Sequence, residues 1–302
     1  MNNSKDNLDH AVYPGEKIAL FFSLVVLLFL GWVMYTIRPS LLVITILGSL
    51  IYIRGHQGQL LGNSALVTAT NYSKVNTLVE QACKALQIDR PRVHIIQDPY
   101  LNAYAIGFVK PFTVVIHSSI LEGFTDEELL FIIGHELTHI KRRHSMWLSI
   151  IAPFGRTLPV FDLIFNFWQR RCEYTCDRMG LIVCQNLDAS IRAMIKISSG
   201  AQALKHTNHQ EFVKQSLKVK SKRFDSWSEI LGTHPYITNR VTKLNEFYRT
   251  SWIAQREAAS AKAFVVIPCK NPECNARLRV PDSDKPLLVT CPKCKTSFRF
   301  EP

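Results

Sequence analysis

The sequence TDEELLFIIGHELTHIKRRHSMWL at residues 125–148 decides the fold of the chain around it. Thr125, with Glu128 three residues later, matches a capping box, in which each side chain bonds the backbone N–H of the other residue. The box predicts a helix that begins here and continues to about the end of the stretch. Within that helix His135 and His139 are four residues apart, so both rings lie on one face, about 6 Å apart along the axis.

This spacing allows both imidazoles to reach one zinc ion. Glu136 follows the first histidine, and a carboxylate at this position can take a proton from a water on the metal. Catalytic zinc needs a third protein ligand, and the sequence RCEYTCD at residues 171–177 offers Glu173 as the candidate. Asp177, one helical turn later, can accept a hydrogen bond from the far nitrogen of a ligating histidine.

Four stretches, in this order along the chain, resemble the HtpX-type membrane zinc endopeptidases, which are related to the CAAX prenyl proteases and belong to the gluzincins. The resemblance extends over roughly residues 65–250. The stretches are NAYAIG at 102–107, the block 125–144, residues 173–177, and Thr233-His234-Pro235 with Arg240.

The resemblance implies a zincin-like catalytic domain that is mainly α-helical with a small sheet, in the α+β class. It implies that His135, His139 and Glu173 bind the zinc ion, that Glu136 is the catalytic glutamate, and that Asp177 supports a ligand. The family carries an alanine before that aspartate, where this sequence has a cysteine.

The resemblance also implies roles for residues outside the metal-binding helix. His234 matches a histidine near the active site, where it could stabilise the oxyanion of a tetrahedral intermediate. The alternative is that it packs or caps the following helix. Arg240 is predicted to be structural, pairing with a carboxylate. Asn102, Ala103 and Tyr104 match an edge strand that binds extended substrate through its backbone, with a plain turn and strand as the alternative.

Hydrophobic periodicity predicts the elements around this site. Residues 72–88 have helical spacing, and residues 93–97 and 112–116 are typical of strands. Residues 146–168 are apolar but interrupted by prolines and charges, which favours a membrane-facing flap or loop over a clean span. His144 is predicted to be a helix-end or surface residue.

The N-terminal region predicts a membrane anchor. A polar tail at residues 1–17 precedes an uncharged apolar run at 18–37, and 20 helical residues span about 30 Å, the thickness of the bilayer's hydrocarbon core. A second apolar run follows at 41–53, after Arg38 and Pro39. We predict a transmembrane hairpin over residues 18–53. The alternatives are one span plus an interfacial segment, or a cleaved signal peptide.

Charge and cysteine usage predict the location. A hairpin leaves both soluble parts on one side of the membrane, and lysines and arginines accumulate after Arg54, so the positive-inside rule predicts a cytoplasmic catalytic domain at the inner or plasma membrane. Eight cysteines without a disulfide-like framework agree with a reducing compartment. The net charge of +12 favours an anionic membrane surface as the partner, and makes nucleic acid a weaker candidate.

The last part of the chain carries four clustered cysteines. Two pairs, Cys269 with Cys274 and Cys291 with Cys294, lie in strand-like sequence at residues 264–302, and this pattern predicts a zinc ribbon with a structural zinc ion. Four free thiols are the alternative. We predict that the ribbon recruits a protein partner or substrate. Cys172 and Cys176, whose thiolates could compete for the catalytic zinc, are interpreted instead as small buried apolar residues.

Together these patterns predict a membrane-anchored zinc endopeptidase that cleaves protein or peptide substrates, in membrane protein quality control, with one catalytic and one structural zinc ion. A non-catalytic membrane scaffold that binds partners through the ribbon is the alternative, and a nucleic-acid-binding membrane protein is a third reading. Glu136 favours the enzyme, because a scaffold needs no general base beside its zinc. The predicted segments are a tail at 1–17, a hairpin at 18–53, a peptidase domain at 62–257, a linker near 258–263 and the ribbon at 264–302.

Overall fold

The structure is a computed structural model. It describes residues 8–107, 110–148, 159–200, 234–251, 253, 264–281 and 286–300. The chain divides into two compact units, Met1–Phe247 and Tyr248–Pro302. The described part is mainly helical, with one four-stranded sheet in the first unit and two hairpins in the second. The predicted linker near residues 258–263 lies outside the described residues.

Two apolar helices open the first unit. Helix α1 spans Glu16–Ile37 and helix α2 spans Pro39–Gly62, with Arg38 in an extended conformation between them. Pro39 occupies the first turn of α2, where its fixed φ angle suits a helix and its missing N–H has no partner to lose. Both helices are long and apolar enough to cross a membrane. The second is longer than the apolar run predicted at residues 41–53.

Helix α1 packs along a later helix of the same unit. The helices that follow α2 along the chain are α3 (Ser73–Leu86), α4 (Ser118–Gly123), α5 (Asp126–Lys141), α6 (Pro159–Cys184), α7 (Leu187–Ser199) and α8 (Ile237–Thr250). Ala19 of α1 packs with Trp168 and Cys172 of α6, and Leu27 and Leu30 lie against the same cluster. The N-terminal half of α6 therefore packs along α1 for several turns.

Helix α5 is the centre of the first unit. Every residue from Glu128 to Ile140 is buried, against helices α3, α6 and α7. The predicted capping box is confirmed, since the Thr125 hydroxyl accepts from the Glu128 N–H and the Glu128 carboxylate accepts from the Thr125 N–H. The same carboxylate accepts from Lys196 at 2.6 Å, which ties the start of α5 to α7.

Two glycines allow α5 and α6 to approach closely. A Cβ atom on Gly134 would lie 2.9 Å from the Cβ of Val183, and one on Gly180 would lie 2.9 Å from the carbonyl oxygen of Phe131. Both distances are shorter than van der Waals contact. Hydrogen is the only side chain that fits at either position, and this contact brings the ligand-bearing segments of the two helices together.

A small mixed sheet lies beside α5. Its strands are β1 (Ala65–Leu66), β2 (Arg92–Ile96), β3 (Ala103–Ile106) and β4 (Thr113–His117), in the order β1-β2-β4-β3. Strands β2 and β4 are parallel, whereas β3 runs antiparallel to β4, with Tyr104 opposite Val115. Among the described residues no strand pairs with the other side of β3, so β3 is an edge strand.

The second unit contains two antiparallel hairpins. Strand β5 (Phe264–Pro268) pairs with β6 (Arg277–Pro281), and β7 (Leu287–Thr290) pairs with β8 (Ser297–Phe300). Side chains alternate between the two faces of each strand. Leu278 and Val280 are buried together with the cysteines, while Val266 and Leu288 face outward.

The region after the metal-binding helix differs from the prediction in two places. Helix α5 ends at Lys141, because Arg143 takes a left-handed conformation with φ 61° and turns the chain, and residues 144–148 form a separate helical segment. Residues 159–168 are not loop but the first turns of α6, the helix that later carries Glu173. Proline at position 159 begins this helix, where its restricted φ angle is favourable. Residues 149–158 lie outside the described part.

Candidate metal centre

The structure brings the three predicted ligands of the catalytic zinc together. The Nε2 atom of His135 lies 3.5 Å from one carboxylate oxygen of Glu173, and the Nε2 atom of His139 lies 3.5 Å from the other. Atoms bound to zinc at about 2.0–2.1 Å in tetrahedral geometry are about 3.3 Å apart. The spacing of these two nitrogens from the carboxylate therefore suits a zinc ion.

The hydrogen bond of His135 also fits a metal ligand. Its Nδ1 atom lies 3.0 Å from Oδ1 of Asp177, which fixes the ring and leaves Nε2 directed at Glu173. Among the described residues the buried Nδ1 atom of His139 has no such partner. Two imidazole nitrogens and a carboxylate, with one coordination position left for water, are the donor set of catalytic zinc sites.

Arg240 links helix α8 to both carboxylates of α6. Its Nε and Nη2 atoms donate to the two oxygens of Asp177 at 2.8 and 2.6 Å, and its Nη1 atom lies 3.2 Å from Glu173. Burial works to raise the pKa of Glu173, but the charges of His234 and Arg240 and the hydrogen bonds from the ligating histidines hold it well below its usual value. The pKa of Asp177 is lowered against burial in the same way, chiefly by Arg240. Both groups therefore stay ionised.

Glu136 and His234 lie at the same centre with very different exposure. Glu136 is buried, and this burial raises its pKa, while the positive charges of the ligating histidines partly offset the increase. The His234 side chain is 60% exposed, and its Nδ1 atom lies 3.2 Å from Glu173. The charge of Glu173 raises the pKa of His234. A buried carboxylate and an exposed histidine thus lie beside the same three candidate ligands.

Cys176 is a competing ligand by position. Its sulfur and one nitrogen each of His135 and His139 lie within 4.8 Å of one another. The thiol also lies 3.7 Å from Nδ1 of His144, and burial raises its pKa well above the usual value. Glu173 is the better-placed candidate for the third ligand, because its two carboxylate oxygens each lie 3.5 Å from the Nε2 atom of one histidine.

The remaining predicted site residues lie on the edge strand and just before it. Ala103 and Tyr104 belong to β3, which packs against α5. Asn102 precedes the strand and accepts a hydrogen bond from the N–H of His117 at 3.0 Å. The outer side of β3 carries backbone groups that no described strand pairs, close to the helix that bears the ligands.

Sequence reasoning missed a buried polar cluster next to the ligands. His144 is not a surface residue but only 1% exposed, with its Nε2 atom 3.3 Å from Glu16 of the first apolar helix. Glu16 also accepts from Arg142 at 3.0 Å and from the hydroxyl of Thr175. The one signal in the sequence was an acidic residue that only Lys17 separates from an uncharged run of 20 residues.

The four clustered cysteines of the second unit also meet. All four sulfurs lie within 4.8 Å of one another, with Cys269 and Cys294 at 3.6 Å and Cys274 and Cys291 at 3.9 Å. Thiolates bound tetrahedrally to zinc at about 2.3 Å are about 3.8 Å apart. The Cys294 sulfur lies 3.3 Å from the hydroxyl of Thr296, and hydrogen bonding with Thr296 lowers the pKa of Cys294. The cluster is suited to hold a metal ion.

Two histidines one turn apart on a buried helix, faced by a glutamate from a second helix, define the first unit as an H-E-x-x-H protein with a candidate metal centre. Comparison with known proteins gives the family. The sequence model of Peptidase family M48 matches residues 69–161 and 150–248, which together cover more than half of the chain. The chain belongs to peptidase family M48, whose members are metallopeptidases. The resemblance to HtpX-type peptidases is confirmed.

Similar proteins include both bacterial and plant peptidases. The plastoglobule-localized metallopeptidase 48 of Arabidopsis thaliana is 32% identical over 157 residues, 48% of this chain and 45% of that protein. A protease HtpX homolog of Bacteroides fragilis is 42% identical over 80 residues, 26% of this chain and 24% of the homolog. Another, from Streptococcus uberis, is 26% identical over 212 residues, 55% of this chain and 71% of the homolog. The chain thus spans less than half the length of the first two relatives.

Proposed function

We propose that this chain is a membrane-anchored, zinc-dependent endopeptidase that hydrolyses peptide bonds of protein substrates. The observation that carries the proposal is the convergence of the Nε2 atoms of His135 and His139 on the two carboxylate oxygens of Glu173, beside a buried Glu136. A scaffold that only recruited partners would need no buried carboxylate next to the first ligand. Membership of a peptidase family supports the same conclusion.

The proposed chemistry divides the work among named side chains. His135, His139 and Glu173 would hold the zinc ion, which when bound supplies a Lewis acid and a water of lowered pKa. Glu136 would take a proton from the attacking water and later give it to the leaving amine nitrogen. Its raised pKa suits this exchange, because a general base works best when its pKa is near the operating pH.

Three further residues would assist these groups, two by orienting them and one by stabilising the oxyanion. Asp177 would hold the ring of His135 through its Nδ1 atom, and Arg240 would fix Asp177 through two hydrogen bonds. His234 has an exposed side chain at the rim beside Glu173, where it can donate to the oxyanion that forms as the carbonyl is attacked.

The edge of β3 is the proposed binding place for the substrate backbone. An extended peptide laid along Ala103 and Tyr104 would add a strand to the sheet next to helix α5, with main-chain hydrogen bonds supplying the affinity. Protein substrates of varied sequence would then bind in one orientation. A role in the quality control of membrane proteins agrees with such tolerance.

The test of the activity is a comparison of Glu136→Gln with Glu122→Gln, which removes an exposed carboxylate on the nearby helix α4. Both variants and the wild type are assayed in detergent for cleavage of an unfolded protein such as labelled casein, and for zinc content. Glu136→Gln should keep its zinc and lose nearly all hydrolysis, while Glu122→Gln keeps both. Hydrolysis by Glu136→Gln at the wild-type rate would exclude the peptidase assignment.

The anchor is proposed to be a two-span hairpin with the catalytic unit in the cytoplasm. Most large apolar side chains of α1 and α2 are exposed, as lipid-facing residues would be. The N–H of Tyr13, just before α1, donates to Thr175 of α6, while α2 leads directly into β1. Both ends of the hairpin therefore meet the same folded unit, which supports two crossings of a bilayer. The positive-inside rule and the thiol usage give the orientation.

Labelling with a membrane-impermeant thiol reagent tests this topology. Cysteines introduced singly at positions 3 and 122 should both be protected in intact cells and both react after permeabilisation. Protection of position 122 with reaction at position 3 would mean a single span.

The second unit is proposed to be a zinc ribbon with a structural zinc ion on Cys269, Cys274, Cys291 and Cys294. All four positions of a tetrahedral ion would be filled by thiolates, so no position remains for catalysis. Outward-facing Val266 and Leu288 support a role in recruiting a protein partner or substrate. Metal analysis should find two zinc ions per chain, and one when Cys291 and Cys294 are both replaced by serine.

A further inference from the structure

The first residue of the anchor helix is buried in the folded unit. Glu16 is only 4% exposed, although it follows a polar tail and begins an apolar helix. Its carboxylate accepts from Nη2 of Arg142 at 3.0 Å and from the Thr175 hydroxyl, and it lies 3.3 Å from Nε2 of His144. A buried carboxylate is costly unless it is paired, so these three partners offset the cost of burying Glu16.

The chain around Glu16 is shaped to reach this site. Gly15 has φ 80°, a left-handed conformation, and a Cβ atom there would lie 3.2 Å from Nε of Arg171. Tyr13 donates its N–H to Thr175 at 2.9 Å, and its ring lies under the guanidinium of Arg178 at 4.7 Å. The residues that lead into α1 therefore contact α6 between Arg171 and Arg178, the stretch that includes Glu173.

The partners of Glu16 come from both helices that carry the candidate ligands. Arg142 and His144 follow the end of α5, three and five residues after His139, and the rings of His139 and His144 meet edge to face with centroids 5.3 Å apart. Thr175 is on α6, two residues after Glu173. One carboxylate thus joins the end of the histidine helix to the middle of the glutamate helix.

We propose that Glu16 is a positioning residue for the metal centre, which holds His139 and Glu173 at the separation that a zinc ion requires. The inference rests on the metal site of the proposed function and not on its peptidase activity. Arg240 fixes Glu173 from helix α8, whereas Glu16 fixes the relation between α5 and α6 from the membrane anchor. Zinc ligands must keep their distances to within about 0.2 Å, so loosening this tie should weaken metal binding.

The experiment uses the full chain in detergent and the variants Glu16→Ala, Glu16→Gln and Asp9→Asn. Asp9 is exposed on the same N-terminal segment, so Asp9→Asn removes the same charge without touching the cluster. Co²⁺ titration measures the first centre separately, because the four thiolates of the second unit give a sulfur-to-cobalt charge-transfer band that a nitrogen and oxygen site lacks. The kcat and KM on labelled casein and the midpoint of thermal unfolding without metal are measured alongside.

Glu16→Ala should weaken Co²⁺ binding at the first centre by about 10- to 100-fold, the usual effect of losing a group behind the ligands. Its kcat should fall while KM stays within about twofold, since the edge strand is untouched. Glu16→Gln, which keeps the size and one acceptor, should lie between Glu16→Ala and the wild type. Asp9→Asn should match the wild type in all measurements.

A purely structural role would give a different result. A lower unfolding midpoint in Glu16→Ala and Glu16→Gln with unchanged Co²⁺ affinity would overturn the proposal, as would equal losses in Asp9→Asn. If Glu16→Ala does not fold, the isosteric Glu16→Gln decides on the same criterion. If the wild type cleaves no protein, the proposed activity fails, but Co²⁺ affinity still tests the positioning role.

Discussion

The two candidate metal sites of this chain are held in opposite ways. In the first unit the ligands project from two long helices whose contact is fixed by Gly134 and Gly180 and whose surroundings are buried. In the second unit four cysteines join two short hairpins that bury few other side chains. Packing therefore sets the geometry of the first site before metal binds, whereas in the second the metal itself would supply much of the folding free energy.

The donor atoms of the two sites also differ. Two nitrogens and a carboxylate leave a coordination position for water at the first site, and four sulfurs leave none at the second. The first site is surrounded by ionised groups such as Asp177 and Arg240, which tune its ligands. The second has backbone and hydroxyl hydrogen bonds with sulfur, such as those with Thr296. The same metal would therefore serve chemistry in one unit and folding in the other.

Removal of metal should give the largest difference in stability between the two units. Structural zinc in small modules contributes on the order of 10 kcal/mol to folding, so chelation should unfold the second unit. Hydrogen exchange followed by mass spectrometry should show loss of protection in β5–β8, while peptides from α5 stay protected. Equal protection of β5–β8 with and without metal would break the comparison, because the second unit would then be packed as independently as the first.

Replacement of His234 should give the next largest effect, and only on catalysis. His234→Phe removes a donor at the rim and should lower kcat by about 10²- to 10³-fold, the usual effect of losing one oxyanion donor. Zinc content should stay at the wild-type level, because the side chain is largely exposed and is not a proposed ligand. Loss of zinc in parallel with activity would mean that His234 supports Glu173 and not the transition state.

Asp177→Asn should have a smaller effect, on metal affinity. The asparagine keeps the size of the side chain but loses the charge that faces His135 and Arg240. Zinc binding at the first centre should weaken by about 10- to 100-fold without being abolished. Chelator competition measures this, with the zinc of the second unit as an internal reference that should not change.

The smallest effect is expected from a substitution at the close contact between α5 and α6. Gly134→Ala would place a methyl group 2.9 Å from the Cβ of Val183 and should destabilise the first unit by about 1–3 kcal/mol, the usual cost of overpacking. Gly58→Ala in α2, where nothing lies within 4 Å, is the matched control and should be neutral or stabilising. The midpoint of thermal unfolding in detergent compares them. An unchanged midpoint in Gly134→Ala would show that the helices can separate freely.

Local patterns in the sequence were enough to predict the elements that carry the site. The capping box at Thr125 predicted the start of α5, short runs rich in valine and isoleucine predicted β2 and β4 to within one residue, and the uncharged run predicted α1. The end of α2 was harder. Residues 54–59 (RGHQGQ) are polar or glycine, so hydropathy ended the element early, although arginine, glutamine and the leucines that follow continue a helix readily.

Contacts between distant parts of the chain could not be predicted in this way. Glu16 meets His144 and Thr175 across 128 and 159 residues of sequence, and no periodicity or spacing reports such a contact. The burial of His144 follows from that contact and from the turn at Arg143, which redirects the chain after α5. The approach of Cys176 to the histidines likewise depends on the rotation of α6 about its axis.

The edge strand β3 has a consequence for what the proposed enzyme could select. A guest strand along its four residues must be extended over about 13 Å and must have its own N–H and C=O groups unpaired. Residues inside a folded helix or the middle of a sheet already use those groups. Such a site distinguishes polypeptides by conformation before it distinguishes them by sequence, so an unfolded or locally opened segment would be cut and the same segment in its folded state would be spared.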